Sequence, residues 1–400
     1  MTHSHSRTTF LAIALVFAVT MMGTTLPTPL YPLYQQQLGF SQLMITVIFA
    51  IYAVGVIVAL LSVGSWSDQL GRRPLLGAGL ALSAASAVVF LAGGALGPLL
   101  LGRLLSGLSA GIFTGTATVA VVELAPSAWA NKATFVATAA NMGGLGLGPL
   151  FAGLVSQYLP WPLHLSFALD LVLVVLAGIA VWRAPETVAK PAQRRLRPQA
   201  LRVPAEVRGV FLPAAIAGFA GFAVLGLFTA VAPAFMGEIL HITNRAAAGA
   251  VVFVFLIAST AGQSGQARFS ETWRLPIGCI LLVVGVALIG TAVVLASLTA
   301  LLAGAVIAGA GQGVTLRAGL GTVAAASPTH RRGEIVSTFF VVLYVAISIP
   351  VIGIGVAAET LGLRAAGLVF TLAVALLALI ALASLLIQRR GTAPATAANV

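Results

Sequence analysis

Apolar stretches about twenty residues long recur from one end of this 400-residue chain to the other. That is the length an α-helix needs to cross a hydrocarbon core roughly 30 Å thick, at about 1.5 Å per residue. With 60% hydrophobic and 8% charged residues, the chain lacks the polar surface of a soluble domain, whereas a helix in lipid satisfies its own backbone. The expected fold is an all-α membrane protein. Its twelve transmembrane helices fall at about 10–30, 43–64, 75–94, 98–122, 133–156, 164–183, 209–232, 246–266, 276–297, 300–324, 335–357 and 363–387.

The basic residues sort to one side of this alternation. Seventeen of 21, including Arg72, Arg73, Lys132, Arg274, Arg331 and Arg332, lie on the N-terminus, the even-numbered links and the C-terminus. The opposite face has only Arg245 and Arg364, and Arg103 and Arg317 fall within spans. Cationic links resist translocation, so the basic face and both termini are expected in the cytoplasm of a bacterial cell, the chain crossing its inner (cell) membrane. The net charge of +12 is then topology plus attraction to anionic lipid, and nucleic acid is not an expected partner.

Other classes are thinned by what the sequence lacks. A single cysteine, Cys279, excludes a disulfide framework, and five scattered histidines give no metal tract. No cofactor is expected. No Gly-x-x-x-x-Gly-Lys-Ser/Thr run supplies a nucleotide loop, so ATP is not the expected energy source. A membrane enzyme, such as a lipid-modifying transferase, would be expected to cluster His, Asp or Glu at one face, and here the five histidines are scattered. The first apolar run is too long for a typical signal-peptide core and is kept as span 1.

Between Ala184 and Arg208 hydropathy collapses into a basic stretch with four prolines, dividing the spans six and six. The halves match at an offset of 202: Gly107 with Gly309, Gly111 with Gly313, Pro126 with Pro328, Arg72 with Arg274, Pro74 with Pro276, and Gly153 with Gly355. An even number of spans per half makes the repeat parallel, with a pseudo-twofold axis along the membrane normal. The expected organisation is two pseudo-symmetric six-helix bundles, 1–183 and 209–390, joined by a cytoplasmic linker at 184–208 and followed by a disordered cytoplasmic tail at 391–400. A central pathway between the bundles follows, within a chain that functions as a monomer.

Three local patterns stand out. The link between spans 2 and 3 carries Gly64, Asp68, Gly71, Arg72 and Arg73 in tight order. Its glycines permit close backbone approach, Asp68 can sit near a helix N-terminus, and the arginines can reach Glu123 at the matching depth of span 4. Span 4 holds Arg103 about 10 Å outward of its centre, where a cation must face a wet cavity, find a partner or snorkel to headgroups. Span 5 places Gly144, Gly148 and Pro149, then Gly153, in a stripe suited to close packing with a kink. Span 1 ends in Pro27, Pro29 and Pro32, which forbid a regular helix there.

These runs resemble the major facilitator superfamily across essentially the whole chain, and in particular its twelve-span drug:proton antiporter branch. The Gly-x-x-x-Asp-x-x-Gly-Arg-Arg spacing matches the family's loop signature, with Gln69 where a basic residue is usual, and the second copy is degraded to Ser270 and Trp273. The resemblance implies that this loop, with Glu123, latches the outward-facing state, that Arg103 serves proton transfer, and that the Gly144 to Gly153 motif marks antiport. Ala152-Gly153 departs mildly from the family's paired glycines.

Nine acidic residues leave few proton carriers. Asp170, about 5 Å outward of the centre of span 6, is the candidate, although span 6 is usually peripheral in this family and a structural role competes. Gln312 and Arg317 on span 10, with Tyr52, Asn141, Phe340 and Tyr344, are candidate linings of a substrate cavity. The expected function is a proton-coupled secondary active exporter of a small amphipathic or anionic organic compound or drug, working by alternating access. Its partners would be that small molecule, protons and the lipid bilayer. The rivals are a proton-coupled uptake symporter for a sugar or organic acid, and a non-transporting receptor or scaffold on the same fold.

Overall fold

The computed structural model describes residues 7–63, 66–188 and 199–391. Among these described residues, twelve helices are long and apolar enough to cross a membrane: α1 (Arg7–Leu38), α2 (Gln42–Val63), α3 (Arg72–Leu91), α4 (Leu96–Glu123), α5 (Ser127–Tyr158), α6 (Leu165–Arg183), α7 (Ala205–Glu238), α8 (Arg245–Arg268), α9 (Glu271–Leu295), α10 (Leu298–Ala326), α11 (Arg332–Leu361) and α12 (Leu363–Arg389). Every expected span is present. Most overrun the hydropathy window, because a helix continues through polar residues such as Arg72 and Lys132 once its apolar part has committed the direction.

Each half has its own core. Phe10, Phe17, Val56, Phe113 and Val174 belong to the first, and Phe228, Phe255, Val286, Phe339 and Val374 to the second. The same seam holds both. A side chain at Gly107 or Gly111 would run into the backbone of Tyr52 or Val56, and one at Gly309 or Gly313 into that of Phe255 or Ser259. Thus α4 lies flat on α2 as α10 lies on α8, through glycines that match at the 202 offset.

Irregular backbone also recurs in both halves. In α1 a 3-10 turn at Thr28–Leu30 breaks the helix, which resumes at Tyr31–Leu38 and ends on Gly39 in the left-handed region. The prolines do forbid one regular turn, but Pro32 then occupies the first turn of the resumed helix, where its missing N–H is not needed. In α7 the corresponding depth is a π-helical turn, Leu227–Val231. Two prolines within helices have their orphaned carbonyls met by distant side chains. Pro149 cannot donate to Leu145, whose carbonyl accepts instead from the Thr25 hydroxyl at 2.8 Å, and Pro213 leaves Gly209 to accept from Gln388 at 2.9 Å.

The halves meet most tightly near the opposite face. A side chain at Gly249 of α8 would strike the Pro149 carbonyl of α5, one at Gly153 would strike the backbone of Arg245, and one at Gly355 of α11 would strike Leu43 and Thr46 of α2. Arg245 closes this side further, donating to the Ser156 carbonyl at 2.6 Å while its backbone N–H reaches Gln157 at 3.0 Å. At the basic face, Gln199 donates its N–H to the Leu61 carbonyl of α2 at 2.8 Å and accepts from the Ser337 hydroxyl of α11. The expected linker 184–208 is therefore only partly visible: Lys190, Arg194, Arg195 and Arg197 lie outside the described residues, as do Gly64 and the tail from Thr392.

Candidate functional site

A cavity of about 360 Å³ lies between the halves, at the small end of the roughly 300–1,000 Å³ typical of small-molecule sites. Its wall reaches Thr118 and Val119 on α4 and Val336 on α11, within about a turn or two of the basic ends of those helices. Toward the opposite face it stops beneath the Gly153, Gly249 and Gly355 contacts. Apolar and aromatic groups dominate, with Asn141, Gln263 and several threonines as the neutral polar lining.

Five of the six expected cavity residues are on this wall: Tyr52, Asn141, Arg317, Phe340 and Tyr344. Gln312 is not. It is fully buried one layer behind, accepting from the Ser259 hydroxyl at 2.5 Å, while Gln263 on α8 takes the place at the surface and contacts the same hydroxyl at 3.4 Å. The helical phase explains the exchange. Gln312 occupies the α10 face that packs on α8 through Gly309 and Gly313, so it cannot also face the cavity.

Arg103 also lines the cavity, only 2% exposed. It does not snorkel. Its Nη1 donates to the Thr24 carbonyl at 2.5 Å, and its guanidinium lies over Tyr52 at 4.6 Å and Phe49 at 5.5 Å from the ring centroids. These ring faces partly offset the cost of taking the cation out of water. Asp170 is equally buried but does not line the cavity. It forms no ion pair with Arg103; its carboxyl fills the space left by Gly23 on α1, where an added Cβ would come within 2.8 Å of Oδ2. Asp170 and Arg103 thus address consecutive residues of one helix.

At the basic face, Arg72 gathers the expected latch. It pairs with Asp68 at 2.6 Å and grips Glu123 with both Nη2 (3.0 Å) and Nε (3.3 Å). Asp68 is otherwise exposed, and its one described partner is Arg72. Sequence reasoning missed Glu186, just past α6. Its carboxylate accepts from the backbone N–H groups of Arg72 (2.8 Å) and Arg73 (3.2 Å), the free donors at the start of α3. Thr187 adds a 2.5 Å bond to Glu123. Gly71, at φ +104°, lies against that carboxylate, where any side chain would be both strained and obstructed. In the second half the counterpart Arg274 makes a loose pair with the exposed Glu271 at 3.7 Å, so among the described residues the cluster around Arg72 has no equal there.

The α5 motif packs on two partners. Gly144 and Gly148 admit the backbone of α1 at Ala18 and Met22, while Gly153 and the Pro149 carbonyl admit α8.

Comparison with known proteins agrees with this architecture. The family model described as Major Facilitator Superfamily matches residues 13–349. Among curated proteins, a putative multidrug resistance protein MdtD of Salmonella typhi is 26% identical over 171 residues, 42% of this chain and 36% of that protein. The quinolone resistance protein NorA of Staphylococcus aureus is 25% identical over 181 residues, 45% of this chain and 46% of that protein. The alignments thus span less than half the length of these relatives. Among solved structures, a bacterial homologue of the human lysosomal transporter Spinster, inward-facing and occupied, superimposes with a TM-score of 0.71 at 15% identity over 98% of both chains. The human organic anion transporter MFSD10 gives a TM-score of 0.67 at 18% identity, covering 95% of this chain and 99% of that one.

Proposed function

Because this chain belongs to the major facilitator superfamily and is a multi-pass membrane protein of that transporter fold, we propose that it exports a small amphipathic or anionic organic compound in exchange for protons. The observation that carries this reading is the cavity itself: drug-sized, placed between two similar bundles, sealed toward one face and extended toward the other. Rocking the halves about that site exposes it alternately.

Orientation follows from charge. The basic face lies in the cytoplasm with both termini, the membrane is the bacterial inner membrane, and the site in this conformation addresses the cell interior. The likeness to MdtD and NorA, both named for drug resistance, supports export, as does the α5 glycine-proline motif. The Asp68, Arg72, Arg73 and Glu123 cluster, with Gly71 and Glu186, is the candidate latch. In this conformation, open toward the basic face, its contacts among the described residues stay within the first half and the start of the linker, and the hold on the outward-facing state would come from engaging the second half.

Asp170 is the proposed proton carrier. Its carboxyl bears on Gly23, next to the Thr24 carbonyl that Arg103 holds. A change of charge at one therefore reaches the other through a single turn of α1. Everted vesicles with an acidified lumen test this: the wild type accumulates substrate against its gradient, while Asp170→Asn abolishes pH-driven accumulation and keeps gradient-free counterflow. Accumulation driven instead by an alkaline lumen would favour uptake, and no flux for any compound of a broad panel would favour a receptor.

A further inference from the structure

The wall of the central cavity contains two arginines and, among the described residues, no carboxylate. A guanidinium withdrawn from water needs an opposite charge or a full set of acceptors. Among the described residues Arg103 has neither: its one hydrogen bond is to the Thr24 carbonyl, and its buried Nε has no partner. Arg317, half-buried on α10, has no hydrogen-bond or ion-pair partner among the described residues. Arg103 lies about two turns from the opposite-face end of α4, and Arg317 more than two turns from the basic end of α10, so the two cations mark different depths of one wall. Between and around them are the rings of Phe49, Tyr52, Phe222 and Tyr344, which touch in pairs at 6.2 and 6.5 Å between centroids.

Building on the transporter reading above, we infer that the cavity is a receptor for an aromatic organic anion. Arg317 draws the acid group in from the basic face, and Arg103 receives it at the closed end through the donors its surroundings leave unused. The ring lies among the aromatic side chains. A cationic compound meets two like charges with nothing to offset them and is rejected. The role of Arg103 is then to bind the charge of the substrate, and the proton passes through Asp170 outside the cavity.

The test uses full-length protein, detergent-solubilised for titration and reconstituted for counterflow, with three probes of one shape: 2-naphthoate, neutral 2-naphthamide and cationic 2-naphthylmethylammonium. Hydrogen bonds to a charged group predict that 2-naphthoate binds about 10-fold to 100-fold more tightly than the amide. Arg103→Gln and Arg317→Gln should each remove about tenfold or more of that preference without weakening the amide, and Arg103→Lys should retain most of it. If Arg103→Gln does not fold, Arg317→Gln, at a less enclosed position, decides.

Equal binding of amide or ammonium by the wild type, binding of none of the three, or unchanged preference in the folded Gln variants would overturn the inference. Anion-selective binding without counterflow would instead remove the transporter reading and leave the receptor chemistry standing. Counterflow of the cation alone would do the reverse.

Discussion

The bond from Thr25 to Leu145 illustrates how single residues were and were not legible. Pro149 announces itself in the sequence, and with it the loss of one helix hydrogen bond; the hydroxyl that repairs the loss sits 120 residues earlier and carries no local signal. Thr25→Val should leave a buried carbonyl unmet and lower stability by about 1–2 kcal/mol, read as a lower unfolding temperature in detergent, while Thr25→Ser should not. An unchanged temperature for Thr25→Val would show that water or another donor already serves that carbonyl. Arg72 and Glu123 could be paired by depth alone, because charged residues are scarce. Glu186 was hidden by its setting, a linker whose basic run drew the reading toward topology. Gln312 and Gln263 were exchanged because a helix surrounded by lipid on one side and apolar protein on the other does not mark its inward face by hydrophobicity.

At the level of elements, α5 does on two sides the close packing that its glycines suggested in sequence. One edge beds on α1 and the other on α8, so the helix is the structural link between the bundles on that side. Span existence and order were readable from apolar length, and span 1 was readable as broken from its prolines. The π turn of α7 was not, since nothing in Leu227–Val231 forbids an α-helix. The seal near the opposite face depends on backbone-to-backbone contact at Gly249. Gly249→Val would overpack that contact at a cost of about 1–3 kcal/mol, favouring the conformation in which the opposite face opens. With Thr229→Cys as reporter in a Cys279→Ala background, labelling by an impermeant maleimide from that side should accelerate by about tenfold. The same rate as the parent would place the seal elsewhere.

For the whole molecule, substrate charge and coupling set how many charges cross per cycle. An anion leaving the basic-face compartment against one entering proton moves two charges outward-negative, each worth about 2.3 kcal/mol per 100 mV. A neutral substrate exchanged for a proton moves one, and a monovalent cation none. In everted vesicles, an imposed lumen-positive potential should therefore raise steady-state accumulation of the aromatic anion with a two-charge slope. A slope of one would mean transport of the anion without a proton, and a flat response would mean that anion and proton move in the same direction, as in uptake symport of an organic acid. Gln199 adds an asymmetry to this picture. It ties α2 to α11 at the basic face, while Gly355 holds the same two helices together near the opposite face. Two stiff covers bound along one spine part widest at the fore-edge, so as long as that tie holds, the doorway on the basic side must swing open mainly between α5 and α8.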